Sequence, residues 1–200
     1  MLKKFVAIML AVAALPAIAA EESISLPEPE LQGGKPLMEA ITARKTAREF
    51  SAKRIEPQDL SNILYAAWGI SHDDKRTIPT ARNLQKMNVY AVVDGGIWRY
   101  DGKQNILIRT GEAEDIIPAL AKQDFVLEAP LTLIFTGEPD DHDYMAMHAG
   151  SAYQNVALYC ASRGLNNVVR GLIDYEKAGE VLGLEGEKVI ITQTIGWPYM

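Results

Sequence analysis

Leu131 to Thr136 (Leu-Thr-Leu-Ile-Phe-Thr) is the segment that most limits what this chain can become. It is an apolar run without the alternation of a half-exposed strand, so it reads as a strand covered on both faces. Such a strand needs a sheet with a layer packed on each side, and the rest of the chain must supply both. Upstream, Asn88 to Val93 reads as a strand, Asp94-Gly95-Gly96 as a turn and Ile97 to Tyr100 as its partner. Asp101-Gly102 turns again into Ile106 to Ile108, which completes an antiparallel meander. Downstream, the pattern predicts a long helix from Tyr144 to Ser162 capped by Gly164, and a short strand at Val168-Val169. A helix follows from Asp174 to Gly183, then a last strand from Val189 to Ile195. Ahead of the meander, Pro36 opens a helix to about Ala43 with Leu37, Met38 and Ile41 on an apolar face. Glu56-Pro57 opens a second, whose Leu60, Ile63, Leu64 and Ala67 make a buried stripe ended by Gly69. A short helix near Asp115 to Lys122 carries Pro118, which is expected to interrupt it. The order predicts one α+β domain over residues 36–200, a sheet with helices packed around it. An extended arm at 20–35, punctuated by Pro27, Pro29 and Gly33-Gly34, precedes it.

The first residues read as an address. Lys3 and Lys4, an apolar run from Phe5 to Leu15, and Pro16-Ala17-Ile18-Ala19-Ala20 form the pattern of a secretory signal peptide over residues 1–19. The apolar run is shorter than the roughly 20 residues of a spanning helix. The expected mature protein is therefore periplasmic or secreted, with no membrane segment once the signal is cut. Lys+Arg 20 against Asp+Glu 26, a net charge of -6, argues against nucleic acid as a partner. The single cysteine, Cys160, excludes an internal disulfide and a Cys-rich metal centre.

Several familiar sites are absent: no Gly-x-Gly-x-x-Gly, no phosphate-binding Gly-Lys-Ser/Thr loop, no Gly-x-Ser-x-Gly and no His-Glu-x-x-His. The acidic stretch Glu138, Asp140, Asp141, His142, Asp143 with His148 does not make a metal site. On a helix His142 and His148 would stand about 120° apart, so the expectation is no metal. Arg44-Lys45-Thr46-Ala47-Arg48 is more pointed. In an extended stretch Arg44, Thr46 and Arg48 face one side, and two guanidinium forks with a hydroxyl suit a phosphate dianion.

Two further segments join it: the loop Arg76-Thr77-Ile78-Pro79-Thr80-Ala81-Arg82-Asn83, and Tyr153-Gln154-Asn155 followed by Val168-Val169-Arg170-Gly171-Leu172. Together these resemble the nitroreductase family of flavoproteins. The Val89–Val93 strand and the Ile97-Trp98-Arg99-Tyr100-Asp101 segment after it are similar to the branch containing the SagB-type, thiazole- and oxazole-forming dehydrogenases. The resemblance implies a central, mostly antiparallel sheet surrounded by helices in a domain-interlocked homodimer with FMN at the interface. It implies that Arg44, Thr46 and Arg48 hold the ribityl phosphate and that Pro79, Thr80, Ala81 and Asn83 contact the isoalloxazine. The Gln154-Asn155 helix is expected on the ring's other face, and the backbone N–H groups of Arg170 and Gly171 near flavin N5. The function implied is an FMN-dependent oxidoreductase acting on a small-molecule substrate by ping-pong hydride transfer through N5.

The chain departs from the family pattern in four places. Arg82 stands where the loop has a small glycine, and Leu172 where an aromatic is common. Neither Lys86 nor Tyr144 aligns with the Lys and Tyr that assist the dehydrogenases. The sequence stops at Gly196-Trp197-Pro198-Tyr199-Met200, without the basic residue and partner-wrapping arm that many relatives carry beyond. These departures leave open a second reading, a non-catalytic flavin- or ligand-binding protein that keeps the fold.

Overall fold

The structure, a computed structural model, describes residues 22–139 and 143–199; the expected signal peptide lies outside the described residues, as do Asp140, Asp141 and His142. The central sheet has seven strands: β1 (Ser23–Ser25), β4 (Met87–Val93), β5 (Gly96–Asp101), β6 (Ile106–Glu112), β7 (Leu131–Gly137), β8 (Asn166–Arg170) and β9 (Lys188–Gly196). Their order is β1-β6-β5-β4-β7-β9-β8, and every neighbouring pair is antiparallel. A separate hairpin joins β2 (Ile70–His72) to β3 (Lys75–Arg76). The helices are α1 (Leu37–Ala43), α2 (Pro57–Trp68), α3 (Ala113–Leu120), α4 (Tyr144–Arg163) and α5 (Tyr175–Val181). None of the described helices is long and apolar enough to cross a membrane.

β7 lies inside the sheet between β4 and β9, and all seven of its residues are buried. Leu131, Leu133 and Phe135 join Val89, Ala91 and Trp98 in the core beneath α2 and α4. Ile134 joins Tyr90, Ile97, Ile116 and Leu120 in a second core under α3 and α5. Two polar residues of the run are satisfied in place: Thr132 Oγ1 meets Thr194 Oγ1 at 3.1 Å, and Thr136 Oγ1 donates to Glu187 at 2.7 Å. The α2 stripe is buried as its spacing requires, with Ile63, Leu64 and Ala67 fully enclosed. Each such Leu or Ile contributes about 1.5–3 kcal/mol by burial.

One expectation needs correction, and two others gain detail. The arm is not merely extended: Ser23–Ser25 pairs with β6 as a sheet strand. Pro118 does not interrupt its helix, because α3 runs unbroken from Ala113 to Leu120. The proline lies near the helix end, where the backbone bond it forfeits is one of few still to be made. The apolar face of α1 is not in the core: Leu37, Met38 and Ile41 are 64%, 69% and 44% exposed, and only Ala40 is buried.

Candidate functional site

Arg44 leaves α1 in an extended conformation (φ -58°, ψ 124°), its N–H bonded back to Ala40. The chain then runs beside β8, the edge strand of the sheet. Ala47 N–H donates to the Asn167 carbonyl at 3.0 Å, and the Asn166 side-chain amide donates to Glu49 at 2.8 Å. Arg44, Thr46 and Arg48 are exposed and make no hydrogen bond or ion pair with the described residues. A cleft of about 270 Å³ opens beside this segment, lined by Lys35, Ala43, Lys45, Gly164, Asn166 and Asn167 among others but not by Arg44, Thr46 or Arg48. Cationic forks with no carboxylate partner, set on an anchored backbone, are donors available to an anion. The donor set thus fits a phosphate monoester.

The Pro79–Asn83 loop is held differently. Ala81 to Asn83 makes a single 3-10 turn, with Arg82 at φ 53° and Asn83 at φ 56° in the left-handed region. Ala81 N–H donates to Nε2 of His148 on α4 at 2.7 Å. His148 is buried, so the loop is pinned from beneath by the long helix. The sequence raised His148 only as a metal candidate, not as the anchor of this loop. Pro79, Arg82 and Asn83 are exposed, while Thr80 and Ala81 are half-buried. The amide of Asn155, expected on the ring, bridges the Ala66 and Thr77 carbonyls at 3.2 and 3.3 Å. It fastens α4 to α2 and to the stretch leading into the loop, while Gln154 beside it is exposed. Lys86 forms an ion pair with Glu138.

β8 ends at Arg170. Its carbonyl accepts from Thr192 Oγ1 at 2.9 Å. Its side chain turns inward, where Nε donates to Thr194 Oγ1 at 2.9 Å and Nη1 to the Leu120 carbonyl at 3.0 Å. Burial, with no nearby carboxylate to offset it, lowers the guanidinium pKa to about 10. Gly171 follows, exposed; a Cβ there would come to 3.1 Å from the Tyr175 hydroxyl and 3.6 Å from Ile191 Cδ1. A side chain at 171 would need the Tyr175 hydroxyl to give by a few tenths of an ångström, and glycine leaves this peptide open to close approach. Leu172 beside it is 60% exposed.

The arrangement brings some of these residues together and separates others. The basic segment and the Arg170–Gly171 peptide lie along one strand edge, since Ala47 pairs at Asn167. Four residues of strand between Asn167 and Gly171 span about 13 Å. The Pro79–Asn83 loop is elsewhere. It is tied to His148, whereas Lys35 N–H, at the start of α1, donates to Ser162 in the last turn of α4. Those two anchors are about 21 Å apart along the helix axis. A cavity of about 800 Å³ lies between α5 and β9 and is lined by none of the basic segment, the loop or the Arg170–Gly171 peptide. Its Glu176, Glu180, Glu185 and Glu187 make it a poor place for a phosphate. No metal-holding group of three or more His, Cys, Asp or Glu occurs among the described residues.

The family model described as "Nitroreductase family" matches residues 41–197. A crystal structure from Ralstonia eutropha JMP134, named as a putative nitroreductase, is 33% identical with a TM-score of 0.82. The match covers 96% of this chain and 97% of that one. A curated protein of Methanocaldococcus jannaschii, also named as a putative nitroreductase, is 25% identical over 74% of this chain and 85% of its own. The microcin synthetase McbBCD complex of E. coli contains a chain of the same fold, at TM-score 0.67 and 15% identity. That match covers 96% of this chain and 85% of the other.

Proposed function

Because the chain belongs to the nitroreductase family, we propose that it is an exported FMN-dependent oxidoreductase that works as a homodimer on a small-molecule substrate. The observation that carries the reading is the set of uncommitted donors Arg44, Thr46 and Arg48, on a backbone tied to the strand that ends at Arg170–Gly171. These three would bind the phosphate. The Gly171 peptide, kept free of a side chain, would present an N–H to N5. When bound, FMN supplies the two-electron chemistry, taking hydride from a donor and passing it to an acceptor. The protein's part is to orient the ring and keep water from it. The roughly 21 Å along α4 between the loop's anchor at His148 and the Lys35 anchor at Ser162 supports a site shared between two copies, the loop of one facing the phosphate cluster of the other. The Ile97–Asp101 strand sequence supports placement near the SagB-type dehydrogenases. The signal-like N-terminus supports a periplasmic or secreted location and, with it, a donor other than a nicotinamide from the cytoplasm.

The first test is the visible spectrum of the purified protein, with reconstitution by added FMN where flavin has been lost. Dithionite reduction and reoxidation by nitroaromatics or quinones follow. A yellow protein that turns over meets the expectation; a yellow protein that never does is the non-catalytic binder; a colourless one that takes up no FMN ends both readings. Arg44→Ala is expected to weaken FMN binding by about 2 kcal/mol, the scale of a charge-assisted hydrogen bond. An unchanged dissociation constant would remove the phosphate assignment.

A further inference from the structure

Arg170 is an anomaly among the charges of this chain. Its side chain is 3% exposed, no carboxylate approaches it among the described residues, and its Nη2 has no hydrogen-bond partner there. What surrounds it is neutral: Thr194 Oγ1, itself against Thr132, and the Leu120 carbonyl at the end of α3. The nearest ion pair at that end of α3, Lys122 with Asp174, lies on partly exposed side chains at 3.9 Å and is screened by water. Burying a guanidinium without a counter-charge is costly, so a residue here that only closed α3 would be better served by a neutral amide donor.

We propose that the buried, carboxylate-free guanidinium of Arg170 is a fixed positive charge that raises the reduction potential of the flavin held at the Arg170–Gly171 peptide. The proposal rests on the FMN reading above. The charge sits one side chain behind the peptide assigned to N5, on the protein side, where low dielectric lets it act across several ångströms. A flavin gains negative charge on reduction, so a nearby cation favours the reduced form. The oxidised form, neutral in its ring, is affected far less. A raised potential suits a protein that draws electrons from weaker reductants than nicotinamides.

The experiment is a spectroelectrochemical titration of the flavin-loaded protein and of Arg170→Met, Arg170→Gln and Arg170→Lys. The neutral variants are expected to hold reduced FMN about tenfold less tightly relative to oxidised FMN, a fall of about 30 mV for a two-electron couple. Their dissociation constant for oxidised FMN should change less than threefold. Arg170→Lys should stay close to the parent potential at acid pH and fall toward the neutral variants as pH rises, because a buried, unpaired ammonium titrates well below its ordinary range. Thr194→Val, which removes the Nε acceptor and leaves the charge, should lower the melting temperature without moving the potential. If Arg170→Met and Arg170→Gln bind FMN and titrate with the parent, Arg170 is a helix-end clasp and the proposal is overturned. Should Arg170→Met fail to fold, Arg170→Gln, which still reaches Thr194, decides alone. A parent protein that takes up no FMN fails the cofactor reading itself and this proposal with it.

Discussion

Arg82 occupies a backbone conformation that disfavours side chains: φ 53°, ψ 21°. Left-handed backbone costs an ordinary L-residue about 1–2 kcal/mol, which gives a physical reason for glycine at this place in the loop pattern. Arg82→Gly relieves that strain but adds freedom to the unfolded chain, about 0.5–1 kcal/mol. The expected net is a small gain in thermal midpoint by calorimetry; a loss would mean that the Arg82 side chain makes a stabilising contact. A second residue-level effect is alkaline. Burial raises the Tyr100 hydroxyl above its ordinary 10.0, and burial followed by the bond to Asp59 does the same for Tyr159. The folded pKa is the higher one, so the unfolded chain releases these protons first. The stabilisation is complete below pH 10 and is lost as pH rises beyond it. Urea midpoints at pH 8 and pH 11 should differ accordingly, and Tyr100→Phe should narrow the gap.

Among the elements, the arm is held by more than its three-residue strand. Asn105 donates from Nδ2 to the Pro27 carbonyl at 2.8 Å while its Oδ1 accepts from the Tyr100 hydroxyl at 3.0 Å. Asn105→Ala strands both partners and is expected to cost about 1–3 kcal/mol; amide exchange over residues 22–35 should speed up. The elements with a clear period were legible beforehand: β7 by its unbroken run, α2 by its stripe, α4 by its length and Gly164 cap. β1 and the β2–β3 hairpin were not, since two or three residues are too few to display alternation. Within the site, the cations and hydroxyl of Arg44, Thr46 and Arg48 were visible as residue types and spacing, and their role as phosphate donors is the proposal above. The anchors were not: His148, Asn155 and Asn167 act through partners 67, 89 and 120 positions away in the chain. Likewise the α1 stripe identified a helix without saying whether its apolar side met this chain's core or something else.

At the scale of the whole molecule, that side is the most exposed run of apolar residues among those described, Leu37, Met38 and Ile41, directly before the proposed phosphate donors. A second copy is the expected cover. Replacing Met38 and Ile41 together by Glu should leave the stability of a single protomer within about 0.5 kcal/mol, as for exposed positions generally. Sedimentation should then move from dimer to monomer, and flavin should be lost with the partner's loop. A dimer that survives both replacements would locate the interface elsewhere. The two rims of the sheet are closed by unequal means. Beyond β8 runs the anchored Ala47 segment, but β6 is covered only by the three residues of β1. A protease nick after Ser25 would bare a seven-residue ladder, the kind of unblunted border along which chains recruit one another into fibrils.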